Sequence, residues 1–171
     1  LVLQLELDGY QYQDGKLHVL EATVIDIEEE EGVLKNLVAL LSLDHKEVIN
    51  HHLDLSGDQY VAGNWGDSIS NSRKYLEAIL QEVAAKYKLF KTGTKLANDT
   101  FTSPGGVRDY LASSELLESK EKEAIAKVYG LLSETGGLPY VAEKDQARLM
   151  RNLALTFSQF VLLRLQGAIN R

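Results

Sequence analysis

Apolar and polar positions alternate with period two in "LVLQLEL" at the start of the chain. "DGYQYQDGKLHVL" follows, with the turn dipeptides Asp8-Gly9 and Asp14-Gly15 ahead of a second short apolar stretch. Alternation bounded by Asp-Gly predicts a β-hairpin. A lone hairpin is only marginally stable, so this one must lie on the rest of the molecule or pair with a strand from a missing segment or a second copy.

From about Ile25 the period becomes helical. After the acidic run 28–31, Val33, Leu34, Leu37, Val38 and Leu41 mark one face. The four glutamates suit the positive end of a helix dipole and form a solvated face, because contiguous residues spread around the axis and do not converge on an ion. Asp44 with Glu47 is a capping-box pattern for a second short helix carrying Val48, Ile49 and Leu53, and Ser56 with Gln59 repeats the signal. The third helix is the clearest: Trp65, Ile69, Ser72, Leu76, Ile79, Leu80, Val83 and Tyr87 recur at three and four, a seam for packing at the centre of a bundle.

Residues 88–108 mix Gly, Thr, Asn, Asp and Pro without a sustained period and predict a long loop, or a loop with one short helical turn. A short helix is expected over 107–117. A charged one follows in "ESKEKEAIAKVYGLLSE", burying Ile125, Val128, Tyr129 and Leu132 and closed by Gly136 and Gly137. The last helix, 143–168, spreads Leu149, Leu153, Phe157, Phe160, Val161 and Leu165 over a broad arc, as a helix surrounded by partners requires. The fold class is therefore mainly α: an antiparallel helical bundle, residues 25–171, with a short N-terminal β-hairpin as an appendage, residues 1–24.

Composition narrows the chemistry. At 171 residues, 44% hydrophobic and 25% charged, the chain can bury one real core. A formal net charge of −7 repels phosphate overall, so a nucleic-acid contact needs a local cluster of Lys and Arg. The absence of cysteine excludes disulfides, thiolate metal sites and a Cys nucleophile, and fits a reducing, cytoplasmic setting. The longest apolar run, 157–165, is broken by Arg164 and is too short for a membrane span, and nothing near the start resembles a signal peptide. The first residue is Leu, which points to a trimmed chain or a piece of something longer.

Motif chemistry is sparse. No Gly-rich phosphate loop is present, and the Gly-Gly pairs at Gly105 and Gly136 read as turn and helix-end devices. His51 and His52 point about 100° apart on a helix, and His45 and His52 stand two turns apart, so no single helix presents a metal pair. No cofactor or metal is expected, and no nucleophile-elbow pattern supports a hydrolase triad. What remains is Asn and Arg on the two longest helices: Asn71, Arg73 and Glu77 on the third, and Arg148, Arg151 and Asn152 on the polar side of the last. Arg73 with Glu77 at i, i+4 is ordinarily a surface ion pair; held rigidly, Arg and Asn bind phosphate or a base edge through planar donors.

"SISNSRKYLEAILQEVA" resembles the Asn-Ser-Arg helix of the HEPN superfamily, in particular the helical C-terminal domains of bacterial abortive-infection proteins. "LLSETGGLPYVAEKDQARLMRNLALTFSQFVLLRL" resembles the closing part of the same domain, in which a Ser-x-x-Gly loop leads into the final helix. The resemblance is strongest over 60–171. It implies an antiparallel bundle, dimerisation through it, and a role in phage defence or toxin and antitoxin systems. Many members are metal-independent RNases whose signature is an Arg followed four to six residues later by a His. Here none of Arg73, Arg108, Arg148, Arg151 or Arg164 has a His at that distance, and Leu138 of "GGLP" stands where related loops carry a histidine.

The proton-transfer group of such cleavage is thus missing, which points away from an enzyme and leaves no catalytic residue to name. The expectation is a non-catalytic regulatory, ligand-binding or oligomerisation domain of a prokaryotic defence protein, homodimeric. Asn71, Arg73, Arg151 and Asn152 are expected to line a cleft between the third and last helices and meet an RNA or nucleotide ligand. An atypical HEPN ribonuclease and a purely structural domain that binds another protein or a missing N-terminal segment are the alternatives.

Overall fold

The computed structural model describes residues 10–13, 16–19, 27–94, 103–137 and 142–170. The chain divides into two compact units, Leu1–Val33 and Leu34–Arg171. In the first, β1 (Tyr10–Gln13) and β2 (Lys16–Val19) pair antiparallel, with Tyr10 opposite Val19 and Gln13 opposite Lys16. Of the two Asp-Gly dipeptides, Asp14-Gly15 is therefore the one between the paired strands. The alternating run 1–7 and the Asp14-Gly15 turn itself lie outside the described residues.

Six helices account for nearly all the other described residues: α1 (Ile27–Leu40), α2 (Lys46–Val61), α3 (Trp65–Thr92), α4 (Pro104–Ser113), α5 (Ser119–Gly137) and α6 (Lys144–Ile169). The result is a mainly helical bundle around α3, which packs against α2, α4, α5 and α6. Ile69, Leu76, Ile79, Leu80, Val83 and Tyr87 are buried on α3 as their spacing requires, with Trp65 half-buried at its start. Ile49 and Leu53 of α2, Leu111 of α4, Ile125 and Leu132 of α5, and Leu155, Leu162 and Leu165 of α6 complete the deepest layer. Helices α2 and α3 run antiparallel: contacts join 45 to 82, 52 to 71 and 56 to 68.

Several local expectations change. Asp44 does not cap α2; the N-cap position is His45, whose side chain makes no cap bond, and the Glu82 carboxylate from α3 accepts the Asp44 and His45 backbone N–H groups instead. Ser56 starts no helix: it lies inside α2, buried, and its hydroxyl donates to the Leu53 carbonyl. The expected loop from 88 is shorter, because 88–92 belong to α3, which ends at Gly93 in the left-handed conformation (φ +67°) that glycine adopts without a Cβ penalty. Helix α4 begins earlier than its apolar pattern suggests. Ser103 caps it through the Gly106 N–H, and Pro104 occupies the first turn, where its missing N–H costs nothing.

Three helices place their faces differently from the pattern. Val33 of α1 and Val48 of α2 are exposed, while Leu34, Val38 and Leu41 are buried. On α6 the buried residues are Ala147, Met150, Arg151, Ala154, Leu155, Ser158, Val161, Leu162 and Leu165, so Val161 and Leu165 lie inside as their spacing required, whereas Leu149 is exposed and Leu153, Phe157 and Phe160 are half-buried. The inner face of α6 thus mixes large residues with the small Ala147, Ala154 and Ser158, and on α3 Ser68, Ser72 and Ala84 are likewise buried.

Candidate functional site

Arg73 and Glu77 stand one turn apart on α3, and both reach Tyr129 on α5. Arg73 Nη1 donates to the Tyr129 hydroxyl at 3.3 Å, and that hydroxyl donates to Glu77 Oε2 at 3.1 Å. The expected surface ion pair is thus a three-member relay that joins two helices, with the phenol acting as acceptor and donor at once. Burial first, and then the Glu77 carboxylate, push the Tyr129 phenol up from its ordinary value, with Arg73 opposing. A phenol so shifted stays protonated at neutral pH and serves as a hydrogen-bonding group, not a base.

A second guanidinium joins from α4. Arg108 lies with its guanidinium carbon 4.8 Å from the centroid of the Tyr129 ring, and Arg73 lies 5.9 Å from the same centroid. Among the described residues, Arg108 Nη1 is buried with no hydrogen-bond partner. Attraction to the ring face offsets part of that loss, and Glu77 supplies one negative charge against the two cations. Three helices therefore bring two planar cations, one carboxylate and one neutral phenol to a single half-buried place.

The other expected site residues lie elsewhere. Asn71 and Arg73 are two positions apart, which turns them by about 200° around a helix. Asn71 accordingly meets α2: its Oδ1 lies 3.1 Å from His52 Nδ1, while its Nδ2 donates to the Asp67 carbonyl. Arg151, expected on the polar side of α6, is 3% exposed and belongs to the buried stripe, with Asn152 half-buried beside it. The structure thus gathers Arg73 with Glu77, Arg108 and Tyr129, and sets Asn71 with His52. Arg108 was hidden to sequence reading because it stands alone on a short helix, and Tyr129 because it reads as one more core aromatic.

Among the described residues, no group of three or more His, Asp or Glu could hold a metal ion, and no helix is long and apolar enough to cross a membrane. Comparison of the chain with family models, with curated proteins and with solved structures finds no match.

Proposed function

We propose that the chain is a non-catalytic, HEPN-like regulatory domain of a prokaryotic defence protein, acting in the cytoplasm as a homodimer and binding an anionic ligand of the RNA or nucleotide class. The observation that carries the binding part is the convergence of Arg73 and Arg108 on Tyr129, with a buried Arg108 N–H that no acceptor among the described residues takes up. Guanidinium groups held by aromatic stacking keep their planar donors oriented, the arrangement that suits phosphate or a base edge. The HEPN part rests on the Asn-Ser-Arg helix and the closing segment. The lack of a His four to six residues after any of the five arginines from Arg73 to Arg164 keeps the reading non-catalytic.

A second, structural reading is favoured by the closure of the network. Arg73, Tyr129 and Glu77 satisfy one another, and Asn71 bonds within the protein. Fluorescence anisotropy of a labelled single-stranded RNA oligonucleotide, titrated with protein in EDTA at low and high salt, separates the readings. Salt-sensitive binding without cleavage, weakened in Arg73→Ala and Arg108→Ala, is the expected result. Binding unchanged in both variants, or no binding by the wild type, would leave the structural domain. RNA cleavage lost on Arg73→Ala would establish an atypical ribonuclease.

A further inference from the structure

A site for bare phosphate has no use for a carboxylate at its centre, yet Glu77 stands among the two guanidinium groups. The Tyr129 hydroxyl lies between it and Arg73, accepting from Arg73 Nη1 at 3.3 Å and donating to Glu77 Oε2 at 3.1 Å. A cationic donor and an anionic acceptor thus both approach one oxygen, close enough to meet a single small ligand. An ionised carboxylate has about four acceptor positions, of which the phenol takes one. Among the described residues nothing else hydrogen-bonds to Glu77. Arg73, Glu77, Arg108 and Tyr129 are each half-buried, so every member of the cluster keeps part of its surface exposed.

The carboxylate repels phosphate oxygens and cancels part of the field of the two cations. A ligand suited to all three charges therefore brings N–H donors for Glu77 together with acceptors for the arginines. Among the common bases, adenine and cytosine offer one exocyclic amine on their pairing edge and uracil one ring N–H. Guanine alone offers two adjacent donors, N1–H and N2–H, and beside them the acceptor O6. Two parallel donors match the two oxygens of a carboxylate, as O6 matches a guanidinium N–H.

We propose that this cluster selects a guanine base in its ligand, with Glu77 accepting N1–H and N2–H, Arg73 donating to O6, and Arg108 supplying positive charge toward the phosphate. Glu77 is then the specificity residue. It weakens the binding of anions that carry no matching donors and strengthens the binding of one base. Tyr129 is the positioning residue: its hydroxyl orients the carboxylate and its ring holds Arg73 and Arg108, whose guanidinium carbons lie 5.9 and 4.8 Å from the ring centroid. A carboxylate present only to balance a cation would affect the strength of binding and leave the choice of base unaltered.

The inference rests on the anion-binding part of the proposed function and names the group bound. Fluorescence anisotropy of a labelled oligouridylate whose one central base is guanine, inosine, adenine or cytosine, titrated with the whole chain, tests it, with calorimetry of GMP and AMP beside it. Guanine is expected to bind about tenfold tighter than adenine or cytosine, with inosine, which lacks the N2 amine, between them. Glu77→Gln keeps an acceptor for Tyr129 and should retain the helical circular dichroism while binding all four strands alike. Strands and nucleotides bound without regard to base overturn the guanine reading and leave the anion site. A guanine preference that survives Glu77→Gln overturns the role of Glu77. No binding of any strand or nucleotide overturns the proposed function and this inference with it. The inosine comparison needs no substitution, so it stands even where Glu77→Gln fails to fold: inosine bound as tightly as guanine excludes the two-donor contact.

Discussion

Glu82, more than halfway along α3, holds the start of α2 through His45. One carboxylate oxygen accepts the backbone N–H groups of Asp44 and His45, at 2.9 and 3.3 Å, and the other meets His45 Nδ1. A carboxylate at a helix start satisfies donors that have no partner inside the helix and opposes the positive end of its dipole. The capping group that local sequence assigned to Asp44 thus comes from another helix, which ties the entry of α2 to α3.

That contact makes stability depend on pH. The hydrogen bond to Glu82, and then its charge, raise the His45 pKa above its ordinary value of 6.5. A histidine whose folded pKa exceeds the unfolded one contributes stability that is fully present below the unfolded value and is lost as pH rises through the folded value. Proton NMR of the His45 ring should show the raised pKa, and Glu82→Gln should return it toward 6.5. His45 is largely exposed, so the histidine contribution is small. Glu82→Ala, which also removes the cap, should cost about 1 kcal/mol near neutral pH in thermal unfolding.

The relay at Tyr129 separates hydroxyl from ring. Tyr129→Phe keeps the surface on which Arg73 and Arg108 lie and removes the group that joins Arg73 to Glu77. The expected loss is about 1 kcal/mol, or a fall in Tm of about 2–4 °C for a chain of this size. Tyr129→Ala should cost about 3 kcal/mol or more, because the ring's packing and both cation contacts go with it. Equal losses in the two variants would mean that the ring does not hold the guanidinium groups.

Much of the bundle was legible because period reports burial directly where one face meets one neighbour. Ile69, Leu76, Ile79, Leu80 and Val83 on α3, and Ile125 and Leu132 on α5, are buried as their spacing required. The pattern misled on α6, where two apolar faces compete: Leu149 and Phe160 look like core, yet Ala147, Ala154 and Ser158 take the inner face, and Arg151 goes with them. Val161 and Leu165 do lie inside as expected, with Met150, Leu155 and Leu162, and which of two apolar faces turns inward depends on the neighbouring helices, which the period of one helix does not encode. The cap from Glu82 and the meeting of Arg108 with Tyr129 join residues far apart in sequence, which no local period encodes.

Glu115 follows α4 with φ +66°, a left-handed conformation in which an L side chain crowds the backbone. Glycine relieves that strain, by about 1–2 kcal/mol, against about 0.4–1 kcal/mol for the added freedom of the unfolded chain. Glu115→Gly should therefore stabilise the protein by about 0.5–1 kcal/mol, read as an upward shift in Tm. A fall in Tm would mean that the side chain contributes more than the backbone loses.

Arg151 and Arg73 should respond differently to truncation. Arg151 is 3% exposed in the buried stripe of α6 and is engaged by its surroundings, so Arg151→Ala opens a cavity and leaves polar groups without their cation. Loss of a buried charged partner costs about 3–5 kcal/mol, enough to lower the folded population of a domain of ordinary stability. Arg73 is half-buried, and the hydroxyl it donates to keeps Glu77 as a partner, so Arg73→Ala should cost no more than about 1–2 kcal/mol. Urea unfolding of the two variants gives the comparison directly. If it comes out this way, loss of ligand binding in Arg151→Ala reports folding, and only the Arg73 and Arg108 variants test recognition. Should Arg151→Ala prove as stable as the wild type, its guanidinium would become the better candidate for a ligand-directed group, because a buried cation that the fold does not need calls for another role.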